Sequence, residues 1–76
     1  MGNVISQDSI SSLAKLILAE GLKDGSYVVN VYEIVNNVNE LKKKYDSFVE
    51  FVADVNDFCD GLGRYNDFYF EWESND

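Results

Sequence analysis

Apolar residues recur at helical spacing along most of this chain and switch to strict alternation near its end. Between residues 8 and 20, Ile10, Leu13, Ala14, Ile17 and Leu18 fall on one face of a helix. Asp8 or Ser9 is placed to cap its start, and Gly21 to end it before a Lys23-Asp24-Gly25-Ser26 turn. Residues 47–60 repeat the pattern: Ser47 and Glu50 have capping-box spacing, and Phe48, Phe51, Val52, Val55, Phe58 and Cys59 form an apolar arc that Gly61 and Gly63 interrupt. In residues 66–73, Phe68, Phe70 and Trp72 alternate with Tyr69, Glu71 and Glu73, the period of a strand.

The stretch from Tyr27 to Tyr45 supports two readings. Val31, Ile34, Val35, Val38, Leu41 and Tyr45 follow helical spacing, and Asn30 with Glu33 resembles a capping box. Against this, Tyr27-Val28-Val29-Asn30-Val31-Tyr32 is rich in strand formers, and Asn36-Asn37 could close a hairpin between Val35 and Val38. Hairpin pairing would set Glu33 opposite Glu40, an unfavourable like-charge pair. That repulsion favours a short extended entry at 27–29 and a helix over 31–44. The expected fold is therefore mainly α with a short β component: helices at 8–20, 31–44 and 47–60 and a strand at 66–73 that pairs with 27–29 or with another chain. The alternative is an α-β-β-α-β order with a hairpin at 27–45.

Size and charge narrow the function. The 76 residues allow one compact domain, 1–76, and 46% hydrophobic residues are enough for a small core. The net charge is −8 and is unevenly placed. Residues 1–45 are neutral, with Asp8, Glu20, Asp24, Glu33 and Glu40 balanced by Lys15, Lys23, Lys42, Lys43 and Lys44. Residues 46–76 hold Asp46, Glu50, Asp54, Asp57, Asp60, Asp67, Glu71, Glu73 and Asp76 against Arg64 alone. Such a field has a direction and suits a basic partner.

Catalytic chemistry finds little support. The chain has no histidine to act as a general base or zinc ligand, and its one cysteine cannot form an internal disulfide. Gly61-Leu62-Gly63 lacks the third glycine of a dinucleotide site, and Asp54-Val55-Asn56-Asp57 lacks the ligand pattern of a calcium loop. We expect a non-enzymatic protein without metal or cofactor. No apolar run approaches the ~20 residues of a membrane span, and no basic region precedes an apolar one at the N-terminus, so the expected setting is cytoplasmic. Met1 to Ser6 matches an N-myristoylation pattern, but the polybasic second signal is missing, and Val4 and Ile5 read as packing residues.

The candidate binding residues are acidic and aromatic. On a helix over 47–60, Asp46, Glu50, Asp54, Asp57 and Asp60 lie within an arc of roughly 120° opposite the Phe/Val face, uninterrupted by lysine or arginine. A plain solvated face usually mixes signs, and negative charge at the helix C-terminus opposes the macrodipole. Carboxylates one helical turn apart match the spacing of phosphates along a nucleic-acid strand, so the stripe could occupy a channel lined with Lys and Arg. Glu71 and Glu73 extend the charge. Phe68, Phe70 and Trp72 should pack inward, leaving Tyr65 and Tyr69 outside as interface anchors. Direct binding of nucleic acid by these rings is disfavoured by the surrounding charge.

The acidic helix containing Ser47-Phe48-Val49-Glu50-Phe51, followed by Asp67-Phe68-Tyr69-Phe70-Glu71-Trp72-Glu73, resembles the acidic helix and aromatic-acidic strand of ArdA-type antirestriction domains. In size, acidity and lack of catalytic groups the chain also looks like phage and mobile-element anti-CRISPR proteins. The resemblance implies a stoichiometric inhibitor that mimics DNA at the basic surface of a CRISPR-Cas or restriction nuclease. The alternative is an acidic regulatory or structural module, either a homodimer or an antitoxin-like partner.

Overall fold

The computed structural model describes residues 2–57 and 65–75, with Gly2 and Tyr65 described by their backbone alone. The elements run in the order β1 (Gly2–Val4), α1 (Gln7–Ala19), β2 (Tyr27–Val35), β3 (Val38–Tyr45), α2 (Phe48–Val55), a short 3-10 turn (Tyr65–Asp67) and β4 (Phe68–Ser74). The four strands form one antiparallel sheet in the order β1-β4-β2-β3. In that order β1 and β2 are parallel with β4 between them, and β3 and β4 are parallel with β2 between them. Each of these pairs is bridged by a helix, so the chain makes two interleaved split βαβ units.

This corrects the expected mainly α fold. The described residues form an α+β layer pair of two helices on a four-stranded sheet, and residues 31–44 are a hairpin. Asn36 and Asn37 have φ of 51° and 64°, the positive pair that a two-residue primed turn requires. They close the hairpin with Val35 facing Val38. The apparent helical spacing of Val31, Ile34, Val35, Val38, Leu41 and Tyr45 is not a buried stripe, because Val38 and Leu41 are exposed while Val29 and Val31 are buried at period two.

The like-charge objection to the hairpin is met by a local irregularity. Glu33 does face Glu40, but the register shifts beside Val31, and Lys42 is left as the extra residue of a bulge. Its Nζ stands 3.4 Å from Glu33 and 3.6 Å from Glu40. One ammonium between two carboxylates turns a repulsive pair into a bridged triad. Replacing Lys42 with Gln should restore the repulsion and lower stability by about 0.5–1 kcal/mol, read as a lower denaturant midpoint at low salt and a smaller difference at high salt.

The first helix matches expectation within a residue at each end, although its cap is Ser6 and not Asp8 or Ser9. The Ser6 hydroxyl accepts the Ser9 N–H at 3.1 Å, and the Ser9 hydroxyl accepts the Ser6 N–H at 3.0 Å. At the other end Gly21 has φ +65°, and the Gly21 and Leu22 N–H groups bond Leu18 and Ile17 carbonyls, a Schellman closure.

Both helices cover the same face of the sheet. Val29, Val31, Tyr45, Phe68 and Phe70 point into this layer and meet Leu13 of α1, Phe51 and Val55 of α2, and Ile5. Trp72 packs at its margin, with its ring centroid 5.5 Å from that of Phe70. Strand β4 begins two residues later than the expected 66 and pairs with β2 from Tyr27 to Glu33, well beyond the expected 27–29. Three-residue β1 then pairs with the other edge of β4.

Candidate protein-binding surfaces

The acidic helix starts where the sequence places it but is held from further away. The Ser47 hydroxyl accepts the Glu50 N–H at 3.3 Å, as a capping residue should. The remaining partner is Asp24, in the loop before β2. Its carboxylate accepts the Phe48 N–H and the Ser47 hydroxyl, both at 2.7 Å. The Ser47 hydrogen bond, helped by backbone N–H groups, holds the Asp24 carboxyl below its ordinary value. Sequence reading missed this residue because the contact spans 23 positions, and an Asp-Gly pair is already explained as a turn.

Replacing Asp24 with Ala should destabilise the protein by about 1 kcal/mol. A depressed carboxyl stabilises the fold when ionised, so the contribution is complete well above 3.8 and fades as pH falls through the lower folded value. Unfolding midpoints of parent and variant, measured at neutral and at strongly acidic pH, should differ at the first and converge at the second.

Asp54 is not a free member of the stripe. It accepts hydrogen bonds from Lys43 Nζ at 3.1 Å and from the Tyr45 hydroxyl at 3.0 Å, tying α2 to β3. Lys43, and then Tyr45, hold its carboxyl low. The same ammonium lies 4.8 Å from the Tyr45 ring centroid. The exposed acids of α2 and its turn are Glu50 and Asp57. Asp46 is exposed in the bend before the Ser47 cap and so is not on the expected helical arc, and among the described residues no ion pair joins any of the three. The expected helix 47–60 is regular from Phe48 to Val55 and continues as a wider π-type turn through 57. Phe58, Cys59, Asp60, Gly61, Gly63 and Arg64 lie outside the described residues, as does the side chain of Tyr65.

Strand alternation sends the rest of the candidate set elsewhere. Phe68 and Phe70 point into the helix-covered layer, so Tyr69, Glu71 and Glu73 point out of the opposite face of the sheet. There the Tyr69 ring lies 5.2 Å from that of Tyr32, and its hydroxyl donates to Glu71. That bond to a carboxylate, with a lesser contribution from burial, pushes the Tyr69 phenol up to about 12. The expected partner surface thus divides in two: Glu50 and Asp57 on α2 and its turn with Asp46 just before the helix, and Tyr69, Glu71 and Glu73 on the outer face of the sheet.

An open cleft of about 720 Å³ separates the start of α1 from the end of α2. Ile5, Ile10, Val52, Ser6, Gln7, Ser11, Asn56 and Asn66 line it, and none of these ionises near neutral pH. Among the described residues no group of acids or cysteine could hold a metal ion, and no helix is long and apolar enough to cross a membrane. Compared with family models, with curated proteins and with solved structures, the chain finds no match.

Proposed function

We propose that this chain is a non-catalytic inhibitor that places the acidic side of α2 against the basic nucleic-acid-binding surface of a defence nuclease, of CRISPR-Cas or restriction type. The observation that carries the reading is the exposed set Asp46, Glu50 and Asp57, with no lysine or arginine paired to them among the described residues. A surface built only for solubility would intersperse both signs. Lys43 meets the row at Asp54, and the three acids it leaves unpaired suit a partner whose own charges are positive, such as a channel built for DNA. Asp54 serves as the brace that fixes this side of α2 to β3, and Glu71 and Glu73 are outside the contact.

The test is a competition assay. The purified protein is titrated into complexes of labelled DNA or guide RNA with CRISPR effectors and restriction nucleases, at several salt concentrations. Displacement at near-stoichiometric protein that weakens as salt rises is the expected result. Failure to displace nucleic acid from any of them at low salt, with the protein folded, overturns the reading.

A further inference from the structure

Among the described residues nothing lies over the outer face of the sheet, since both helices pack on Val29, Val31, Phe68 and Phe70. Two cross-strand rows on that face have complementary character. The first joins Val4, Tyr69, Tyr32 and Leu41, running through all four strands in sheet order. Its ends are open, with Val4 48% and Leu41 58% exposed. The second, one step along, joins Gly2, Glu71, Asn30 and Lys44. It carries a carboxylate near one edge, an ammonium at the other, and a position without a side chain beside the carboxylate.

We propose that this face is the interface of a homodimer, formed by a two-fold axis lying between the sheets, parallel to the strands and midway between β4 and β2. That operation keeps each row at its own level and reverses it. Tyr69 then faces Tyr32 of the second copy, and Val4 faces its Leu41, so the apolar row covers itself. Lys44 falls over the bare Gly2 position, beside Glu71, and the same pair forms twice. An axis running along the rows would instead set Tyr69 on Tyr69 and leave Lys44 and Glu71 without each other. Four strands at about 4.8 Å make a face about 19 Å wide, which suits aligned sheet packing and buries less than a permanent dimer does. The association is therefore a reversible one. It leaves the acidic side of each α2 facing away from the dimer, so it neither requires nor opposes the proposed inhibition.

Sedimentation of the full chain over a wide concentration range reads it directly. The parent should show a monomer–dimer equilibrium. Lys44→Glu and Glu71→Lys should each weaken the dimer about tenfold or more, because each sets two like charges together at both symmetric positions. The combination of the two in one chain should recover most of the loss. Leu41→Glu, at an exposed position that leaves the core intact, should also give monomer, with circular dichroism confirming that each variant is folded. A parent that stays monomeric at every concentration overturns the proposal, and so does a dimer indifferent to Lys44→Glu or one that the double exchange does not restore. Salt-dependent competition for the nuclease is a separate readout, and either result can fail alone.

Discussion

Phe51→Ala is expected to remove a large fraction of the protein's stability. The ring is 0% exposed and stands where α2 meets the sheet. Its centroid is 5.1 Å from that of Phe70, 5.7 Å from Tyr45 and 6.1 Å from Phe48. Removing a fully buried phenylalanine loses about 3–5 kcal/mol, as transfer free energy and as a cavity that rigid neighbours cannot fill. At roughly 0.05–0.15 kcal/mol per residue, a chain of this length has about 4–11 kcal/mol in total. The loss is a large fraction of that. Denaturant unfolding followed by circular dichroism, and by the fluorescence of Trp72 beside Phe70, should show a much lower midpoint or no folded baseline. Val49→Ala on the same helix, at a side chain 66% exposed, should stay within about 0.5 kcal/mol of the parent. Similar losses at the two positions would contradict the packing of α2.

The same contrast separates what the sequence made legible from what it did not. Elements whose boundaries are set by local chemistry were readable: the amphipathic stripe of α1 with Gly21 at its end, Ser47 before α2, and the alternation of Phe68, Phe70 and Trp72. The hairpin was not, because its decisive feature is an exception to a pairing rule. Glu33 facing Glu40 argues against pairing only while Lys42 is assumed to stay in register, and a bulge cannot be read from composition. Strand β1 escaped notice because three residues show no period, and Asp24 because its work is done across the chain.

The division of the candidate surface has a similar origin. Acids on α2 and acids on β4 both alternate with core residues, so each set reads as exposed. In a layer of helices on a sheet, however, the exposed side of the helix and the exposed side of the strand point in opposite directions. Asp54 could not be separated from its neighbours without β3, which supplies both Lys43 and Tyr45.

Neutralising the helix side should weaken the proposed binding while leaving the fold intact. Asp46→Asn, Glu50→Gln and Asp57→Asn together remove three exposed charges and spare Asp54, whose bonds to Lys43 and Tyr45 are structural. Each exposed charge pair contributes about 0.2–1 kcal/mol, so the triple variant should lose about 0.6–3 kcal/mol of affinity, roughly 3- to 150-fold, with a shallower dependence on salt. The macrodipole adds a second signature. Asp57 sits just past the C-terminal end of α2, where a negative charge is unfavourable, so Asp57→Asn alone should stabilise the protein slightly while weakening the complex. Glu71→Gln with Glu73→Gln removes charge from the opposite face and should change nuclease inhibition little. If that pair abolished inhibition and the helix triple did not, the acidic surface that matters would be the sheet face, and the assignment to α2 would be wrong.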